Sequence, residues 1–463
     1  MSYLLSLSFF LFLSAAPALA AGQGPPDITV FFTSDTRGML RRCGCSDGQM
    51  GGLSARASYI KANRVAGQTL VLDAGDTLFD GPKYPPERRE FYRVKAGAII
   101  GAMGESGYDA VAVGEYDLCY GLDFLRDVSG AGFPFICANL EADEGCKPFR
   151  PYVVKEVGAA RVAVVAALDP EFPYHDFADS FEGLTITDPV AAVNKAVKSI
   201  KGKADVIIVL AHLSVTSPVE FAGKLTGVDI VVQGHSAELA DGPEKVGGAL
   251  LVNGFYKGKK MGRLDLWLGK GGKPGQGIAD YKYSVIDIDE SIPSDVKVEE
   301  IIAGYRSELQ ERKFDFSKPD PPGAGAYVSP RVCEECHKAE YENWSMTAHA
   351  RSYEALARTG DQYDPECLVC HTTGYGWKSG YKVGGTRQGL YNVTCESCHG
   401  RAFGHVSPDL ATQLKPPVST AISRAVPEKT CLTCHDEENS PRFQYGPYLE
   451  KGGAHGGPAP VVH

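Results

Sequence analysis

A chain of 463 residues is long enough for two or three domains, and its 47 Lys plus Arg against 57 Asp plus Glu give a formal net charge of −10. A mildly acidic balance argues against a nucleic-acid partner. Beyond the first twenty residues, no uninterrupted apolar run reaches the ~18 residues of a membrane span.

The first twenty residues are apolar and end Ala16-Pro-Ala-Leu-Ala20, which reads as a secretory signal cut after Ala20. No Lys or Arg precedes the apolar run, so an uncleaved anchor is the alternative. Residues 22–26 form a short linker. Ile28 to Asp35 then reads as a strand running into a polar tip, and the same grammar recurs at 69–76, 109–115, 161–168, 205–212 and 228–235. Each is a short β-branched run that stops at a Gly or a potential metal ligand. Helical stretches are expected at 189–201 and 219–225. Strands alternating with helices, with polar residues at the strand ends, predict an α/β sheet with a site along one edge. Further strands are expected at 249–255, 262–268 and 281–288, the last two joined by the Gly-rich loop 269–277. A helix over 294–312 precedes the clearest linker of the chain, Lys318-Pro-Asp-Pro-Pro-Gly-Ala-Gly325. The reading divides the chain into a signal (1–20), a front domain (21–292), a helix with linker (293–325) and a C-terminal segment (326–463).

That segment carries Cys333-Glu-Glu-Cys336-His337, Cys367-Leu-Val-Cys370-His371, Cys395-Glu-Ser-Cys398-His399 and Cys431-Leu-Thr-Cys434-His435. C-x-x-C-H is the attachment signal of c-type haem. Two thiols at this spacing reach the two vinyl groups of one porphyrin, and the next imidazole becomes the proximal iron ligand. A zinc ribbon is the competing reading of C-x-x-C pairs, but zinc sites do not need a histidine after every pair. Four covalently bound haems are expected, and porphyrins would stand in for a polypeptide core too small to fold alone. Export fits them, since their thioether bonds are made outside the cytoplasm. Four further histidines in the segment, His349, His405, His455 and His463, equal the number of sixth coordination positions. His463 follows a Gly/Pro-rich stretch and reads equally as a loose tail. Trp344, Tyr353 and Tyr375 are expected to pack on porphyrin faces. Five cysteines lie elsewhere: Cys43, Cys45, Cys119, Cys137 and Cys146. Cys137 and Cys146 bracket a short loop and are expected to form a disulfide. His175, without carboxylate or thiol company, reads as an ordinary surface or core histidine.

The motifs Thr33-Ser-Asp35-Thr-Arg37-Gly, Gly51-Gly-Leu-Ser-Ala-Arg56, Gly75-Asp76, Gly114-Glu115-Tyr116-Asp117, Ala211-His212 and Gly234-His235-Ser-Ala237 resemble the calcineurin-type metallophosphoesterases, in particular the periplasmic 5′-nucleotidase branch. Asn139 and Lys260-Met-Gly262-Arg-Leu fit that branch too. The likeness spans roughly residues 28–290 and implies an α/β sandwich of α/β/β/α layers. It implies two metals bridged by Asp76. One takes Asp76, Glu115, His212 and His235, a plausible carboxylate/imidazole set for one divalent ion. The other falls on Asp35, Arg37 and Ala237, where two imidazoles are lost, and Tyr116 stands where a histidine would protonate the leaving group. Two-metal hydrolysis needs both ions. The resemblance therefore leaves Asp35, Arg37 and Tyr116 as catalytic candidates only, and Arg37 as a bidentate binder of a phosphate or other oxyanion. The plainer reading is a buried Asp35–Arg37–Asp76 ion network. Cys43, Cys45 and Cys119 offer soft metal ligands or a redox pair; a structural disulfide with a spare thiol is the alternative.

The C-terminal motifs, with Trp344-Ser-Met-Thr-Ala-His349 and His405, resemble the tetrahaem cytochrome c family of nitrifying bacteria. This implies a mainly α, loop-rich domain with stacked haem pairs, and a second haem, on His371, that is five-coordinate. It also implies that His349 and His405 each cap a haem other than the nearest in sequence, with His455 a further distal ligand. The function expected is exported, periplasmic or extracellular electron transfer to redox partner proteins, with a front domain for ligand, metal or partner binding. A metal-dependent nucleotidase with accessory haems, and a haem- or thiol-dependent reductase, are the alternatives.

Overall fold

The structure, a computed structural model, describes residues 24–42, 48–82, 84–235, 242–269, 277–385, 389–436 and 439–450. The expected signal, Cys43, Cys45, Ala237, His455 and His463 lie outside these residues.

Two six-stranded sheets form the front domain. The first runs in the order Ile278–Asp287, Lys260–Leu268, Ile28–Thr33, Thr69–Asp73, Ala110–Ala112, Phe135–Ile136. The second runs Glu244–Val246, Ala249–Asn253, Ile230–Gly234, Val206–His212, Ala160–Leu168, Tyr152–Val157. Period-2 alternation decides the layering. Ile28, Val30 and Phe32 point between the sheets with Leu70, Leu72, Val162, Val164, Ile208, Leu210, Ile230 and Val232, while Phe31 and Val71 point outward. Each such side chain stabilises the fold by roughly 1.5–3 kcal/mol on burial. The outer face of the first sheet is covered by the helices Leu53–Asn63, Arg89–Ser106 and Val296–Arg312. Pro189–Ile200 and Pro218–Gly223 cover the second. The architecture is α/β/β/α.

The central strands are parallel within each sheet. Ile28–Thr33, Thr69–Asp73, Ala110–Ala112 and Phe135–Ile136 run together in one, and Ala160–Leu168, Val206–His212, Ile230–Gly234 and Ala249–Asn253 in the other. Their C-terminal ends meet at one edge, the place where open α/β sheets hold ligands.

From Pro330 onward no described helix exceeds eight residues. The apolar cluster of this segment is small, with Leu356, Leu368, Tyr375, Tyr381 and Leu390 at its centre. Large apolar side chains inside and beside the cysteine motifs stay exposed, among them Val369 at 52% and Leu432 at 47%. Such surface is what a covalently attached porphyrin would cover.

The expected linker is not a free spacer. Lys318 N–H donates to Gly376 O at 2.9 Å, and Asp320 Oδ1 accepts from Arg401 Nη1 at 2.7 Å and Ser379 Oγ at 2.8 Å. The front domain reaches the C-terminal segment through further contacts. Arg306 Nε lies 2.7 Å from Asp361 Oδ1, Lys95 Nζ 2.6 Å from Glu366 Oε2, and Tyr305 OH 3.1 Å from Asp364 Oδ2.

Two sequence expectations are corrected here. Cys137 and Cys146 are both free thiols. The short turn Asp143–Gly145 pairs Ala142 N–H with Cys146 O at 2.8 Å and leaves Cys146 exposed, while the buried Cys137 thiol faces Asn139 Oδ1 at 3.5 Å. Trp344 and Tyr375 are each covered by polypeptide to 8% exposure. Trp344 Nε1–H donates to Val393 O at 2.9 Å and Tyr375 OH to Phe314 O at 3.3 Å, so both rings are engaged in protein packing. Tyr353 packs against Tyr381 and Tyr391. His175 is an exposed surface histidine.

Candidate cation site and haem-attachment segment

Carboxylates from the first sheet and imidazoles from the second converge where the strands end. Asp35, Asp76 and Glu115 follow Ile28–Thr33, Thr69–Asp73 and Ala110–Ala112; His212 and His235 end or follow Val206–His212 and Ile230–Gly234. Asp35, Arg37, Asp76 and His235 all hold positive φ, between 48° and 54°. Non-glycine residues in this region cost about 1–3 kcal/mol each and collect at functional sites. Two glycines make close approaches at the site feasible, Gly114 between loops of the first sheet and Gly234 between the two sheets. A Cβ on Gly114 would lie 2.2 Å from Asp76 N, and one on Gly234 would lie 2.5 Å from Ala74 O and 2.7 Å from His212 Nδ1.

His212 Nδ1–H donates to Ala74 O at 2.6 Å, which fixes the tautomer and turns Nε2 into the site. Nε2 then lies 2.8 Å from Glu115 Oε2 and 3.4 Å from Asp76 Oδ2. His235 Nδ1 lies against Glu115 Oε1 and 3.5 Å from Asp76 Oδ2. Asp76 Oδ2, both Glu115 oxygens, His212 Nε2 and His235 Nδ1 are buried, and none completes a directional hydrogen bond. Buried polar atoms without partners are costly, and a convergent carboxylate/imidazole set of this kind fits one divalent cation. Asp35 belongs to the same cluster, its donor atom within 4.8 Å of those of Asp76, His212 and His235. Its oxygens are already engaged, however, by Arg37 at 2.9 Å and by His235 N–H at 2.8 Å, so Glu115 is the better fourth donor.

Without a cation the charges compensate one another. Burial would lower the His212 pKa, but Glu115 and Asp76 beside it raise it well above the usual imidazole range. Burial likewise opposes the charge of His235, yet the Asp76 and Glu115 carboxylates beside it push its pKa up to about 9. Burial would raise the Asp76 pKa, and His212, His235 and Arg37 together hold it below the usual carboxylate range.

Arg37 binds Asp35 Oδ1 through Nη2 at 2.9 Å and Nε at 3.2 Å, and its Nη2 lies 3.7 Å from Asp76 Oδ2. Its guanidinium is sandwiched between the rings of Tyr116 and Tyr256, each 5.0 Å away. The plainer reading of Arg37 is the one observed: it is part of an ion network with Asp35 and Asp76, and it fixes a positive charge beside the candidate cation site. Burial pushes the Tyr116 hydroxyl up to about 12, which leaves it a hydrogen-bond donor at neutral pH. Cys119 is buried, its S–H donates to Gly81 O at 2.7 Å, and burial raises its pKa, so the thiol is held in its unreactive form.

Two residues that shape the site, Asp117 and Asp169, are given no role by a reading of the motifs. Asp117 takes N–H bonds from Thr77, Leu78 and Gly114, each at 2.9 Å, and so clamps the loops that carry Asp76 and Glu115. Asp169 Oδ2 accepts from Ser214, Val215 and Thr216 N–H at 2.7–2.9 Å, fixing the loop after His212. Their signal is faint: an Asp at the end of an apolar run that caps its own turn. Asn139 is spent on backbone, bonding Leu168 and Thr187, and does not face the site.

The cysteine motifs lie on short helices or begin at their C-terminal ends, and the structure brings distant ones together. The Cys333 and Cys395 thiols adjoin, as do those of Cys370 and Cys434. His337 and His405 face one another with ring centroids 6.5 Å apart and planes at 28°. His349 and His435 face at 6.0 Å and 62°. Two imidazoles on one metal, with metal–nitrogen bonds of about 2 Å, place their ring centres about 6 Å apart. His371 Nδ1 and His399 Nδ1 donate to Ser352 O at 2.7 Å and Ser423 O at 2.6 Å, and His435 Nδ1 bonds Ser440 Oγ at 2.9 Å. Each bond orients its ring through Nδ1, the arrangement in which Nε2 serves as a metal ligand. These residues fit c-type haem.

Known proteins match the two halves separately. The family model described as cytochrome c554 and c-prime matches residues 332–400, which hold three of the four motifs. Cytochrome c-554 of Nitrosomonas europaea is 37% identical over 85 residues, 15% of this chain and 36% of that protein. The trifunctional nucleotide phosphoesterase protein YfkN of Bacillus subtilis is 28% identical over 282 residues, 52% of this chain and 19% of that protein. The crystal structure of calcineurin-like phosphoesterase YfkN from Bacillus subtilis is 25% identical and covers 61% of this chain and 97% of that one, with a TM-score of 0.52. The chain thus spans about a fifth of the length of one curated relative and about a third of the other. It joins a metallophosphoesterase/5′-nucleotidase-like domain to a C-terminal cytochrome c554-like segment.

Proposed function

We propose that this protein is an exported tetrahaem electron carrier whose front domain holds a single divalent cation and has little or no phosphoesterase turnover. The observation that carries the reading is the pair of facing imidazoles, His337 with His405 and His349 with His435. Each pair joins histidines far apart in sequence at the spacing of two axial ligands on one iron. Cys333/Cys336, Cys367/Cys370, Cys395/Cys398 and Cys431/Cys434 would hold the porphyrins, and His337, His371, His399 and His435 would be proximal ligands. Bound haem supplies a one-electron couple; the chain fixes imidazole orientation through Ser352, Ser423 and Ser440 and brings the motifs together in pairs. Two facing imidazoles suit electron transfer, because neither ligand has to leave. Redox proteins are the partners this function requires.

In the front domain, Asp76, Glu115, His212 and His235 would hold the cation. Arg37 bridges Asp35 and Asp76 and keeps a positive charge where two-metal chemistry would need an ion. The hydrolase reading is favoured by one observation, the intact cluster of unpartnered donor atoms.

Two measurements on the exported, haem-loaded chain decide between them. Low-temperature electron paramagnetic resonance is expected to show low-spin bis-imidazole haem, with His349→Ala and His405→Ala each converting one haem to high spin. If neither variant changes any haem, the assignment is wrong. Nucleoside monophosphates with added Mn2+ are expected to be hydrolysed negligibly; fast turnover abolished by His212→Ala would establish the hydrolase instead.

A further inference from the structure

The front site and one haem-attachment motif share a single loop. That loop starts at Asp35, contains Arg37, and is held stiffly: Arg37 N–H donates to Asp76 O at 2.8 Å, Gly38 N–H to Thr77 O at 3.0 Å and Met39 N–H to Thr36 O at 2.9 Å. A few residues on, Arg41 reaches out of the front domain into the C-terminal segment. Its Nη2 lies 2.7 Å from Asp364 Oδ2, 3.3 Å from Asp361 Oδ1 and 3.4 Å from Cys367 Sγ. Lys95 reinforces the junction. It pairs with Glu366 at 2.6 Å, and a Cβ on Gly38 of the same loop would lie 3.3 Å from its Nζ. Asp364 caps the helix Pro365–His371 through Glu366 N–H at 3.0 Å. Two cations from the front domain thus meet three carboxylates around the second attachment motif.

Cys367 Sγ is a thioether in the haem-loaded chain, so the Arg41 guanidinium stands at the attachment point of that haem. Charge and hydrogen bonding close to a redox centre set its potential, and a fixed positive charge favours the reduced state. Arg37 is the link to the front site. Its Nη2 shares Asp76 Oδ2 with the two imidazoles, and a cation that takes this oxygen competes with Arg37 and repels it. Arg37 and Arg41 lie on one short, tied loop.

We propose that Arg41 is a positioning residue that sets the potential of the haem held at Cys367, Cys370 and His371, and that cation binding at Asp76, Glu115, His212 and His235 shifts this potential through the Asp35–Arg41 loop. This rests on the reading above that the segment carries haem and the front site a cation. Linkage makes the effect reciprocal: reduction of that haem changes cation affinity by the same factor.

The test is spectroelectrochemical titration of the haem-loaded full chain, first after treatment with chelator and then with one equivalent of Zn2+. One resolved haem component is expected to move to higher potential with zinc while the others hold. In Arg41→Gln that component is expected to sit lower and to ignore zinc. Asp364→Asn, which removes a negative charge and keeps the helix cap, is expected to raise it. Opposite shifts from the two variants would not arise from loosened packing. Zinc bound at one equivalent with every component unmoved overturns the inference and leaves the parent reading standing, as do variants that shift the component in one direction or not at all. A chain that carries no haem, or binds no zinc, overturns the parent reading and this inference with it.

Discussion

Glu396 lies within the third cysteine motif, 4% exposed, and its carboxylate accepts N–H bonds from Val328 at 2.8 Å and Ala402 at 2.7 Å. Burial outweighs those bonds and pushes its pKa up to about 7. Free glutamate titrates near 4.3, so the folded state holds this proton more tightly than the unfolded state does. The contribution to stability is therefore largest in acid and is lost as pH rises from roughly 4.3 to about 7. Denaturant melts of the haem-loaded chain across that window are expected to fall with pH, and Glu396→Gln is expected to flatten the slope. An unchanged slope would mean that Glu396 is already ionised. Motif reading names Cys395 and His399 but passes over Glu396, because burial at this position comes from residues 328 and 402, which no local pattern announces.

At the scale of elements, the strands were legible because apolar alternation ends abruptly at Asp, Glu or His, as at Leu72-Asp73 and Ala211-His212. Site residues at those ends were legible for the same reason. The helix Leu53–Asn63 was not, because Arg56 sits on its buried side; it is the largest fully buried side chain, bonding Thr36 Oγ1 at 2.9 Å and Tyr108 OH at 3.1 Å. Arginine normally marks a solvent face. Arg89–Ser106 was not named as a helix either, and its Gly97, Gly101 and Gly104 weaken the helical pattern; Gly101 faces Ile301 of Val296–Arg312, where a small residue admits close helix packing. The expected disulfide failed because a tight turn directs Cys146 outward, which spacing alone does not reveal. The junction of the sheets yields a prediction. Gly234→Ala would press a methyl group on Ala74 O and His212 Nδ1, so it is expected to cost about 1–3 kcal/mol and to weaken zinc binding in equilibrium dialysis. Wild-type stability and affinity in that variant would show that the sheets are not in contact there.

Across the whole molecule, the two halves are held by partly buried, charged contacts that lie far apart in sequence. Asp361 pairs with both Arg41 and Arg306, at 3.3 Å and 2.7 Å. Removing Asp361 takes a charged hydrogen-bond partner from Arg306 and one of the two carboxylates from Arg41, at a cost of about 1.5–3 kcal/mol. The haem-loaded wild type is expected to melt in one calorimetric transition, and Asp361→Ala in two, as the front domain and the haem segment uncouple. A single unshifted transition in the variant would show the contacts to be incidental. No described helix is long and apolar enough to cross a membrane.

The account rests first on iron porphyrin being fixed to the C-terminal segment, and the most direct measurement is a haem count per chain, by pyridine haemochrome with intact mass on the exported protein. Four haems per chain are predicted, one on each of the motifs at 333–337, 367–371, 395–399 and 431–435. A colourless chain, or one whose cysteine pairs hold zinc, would contradict it.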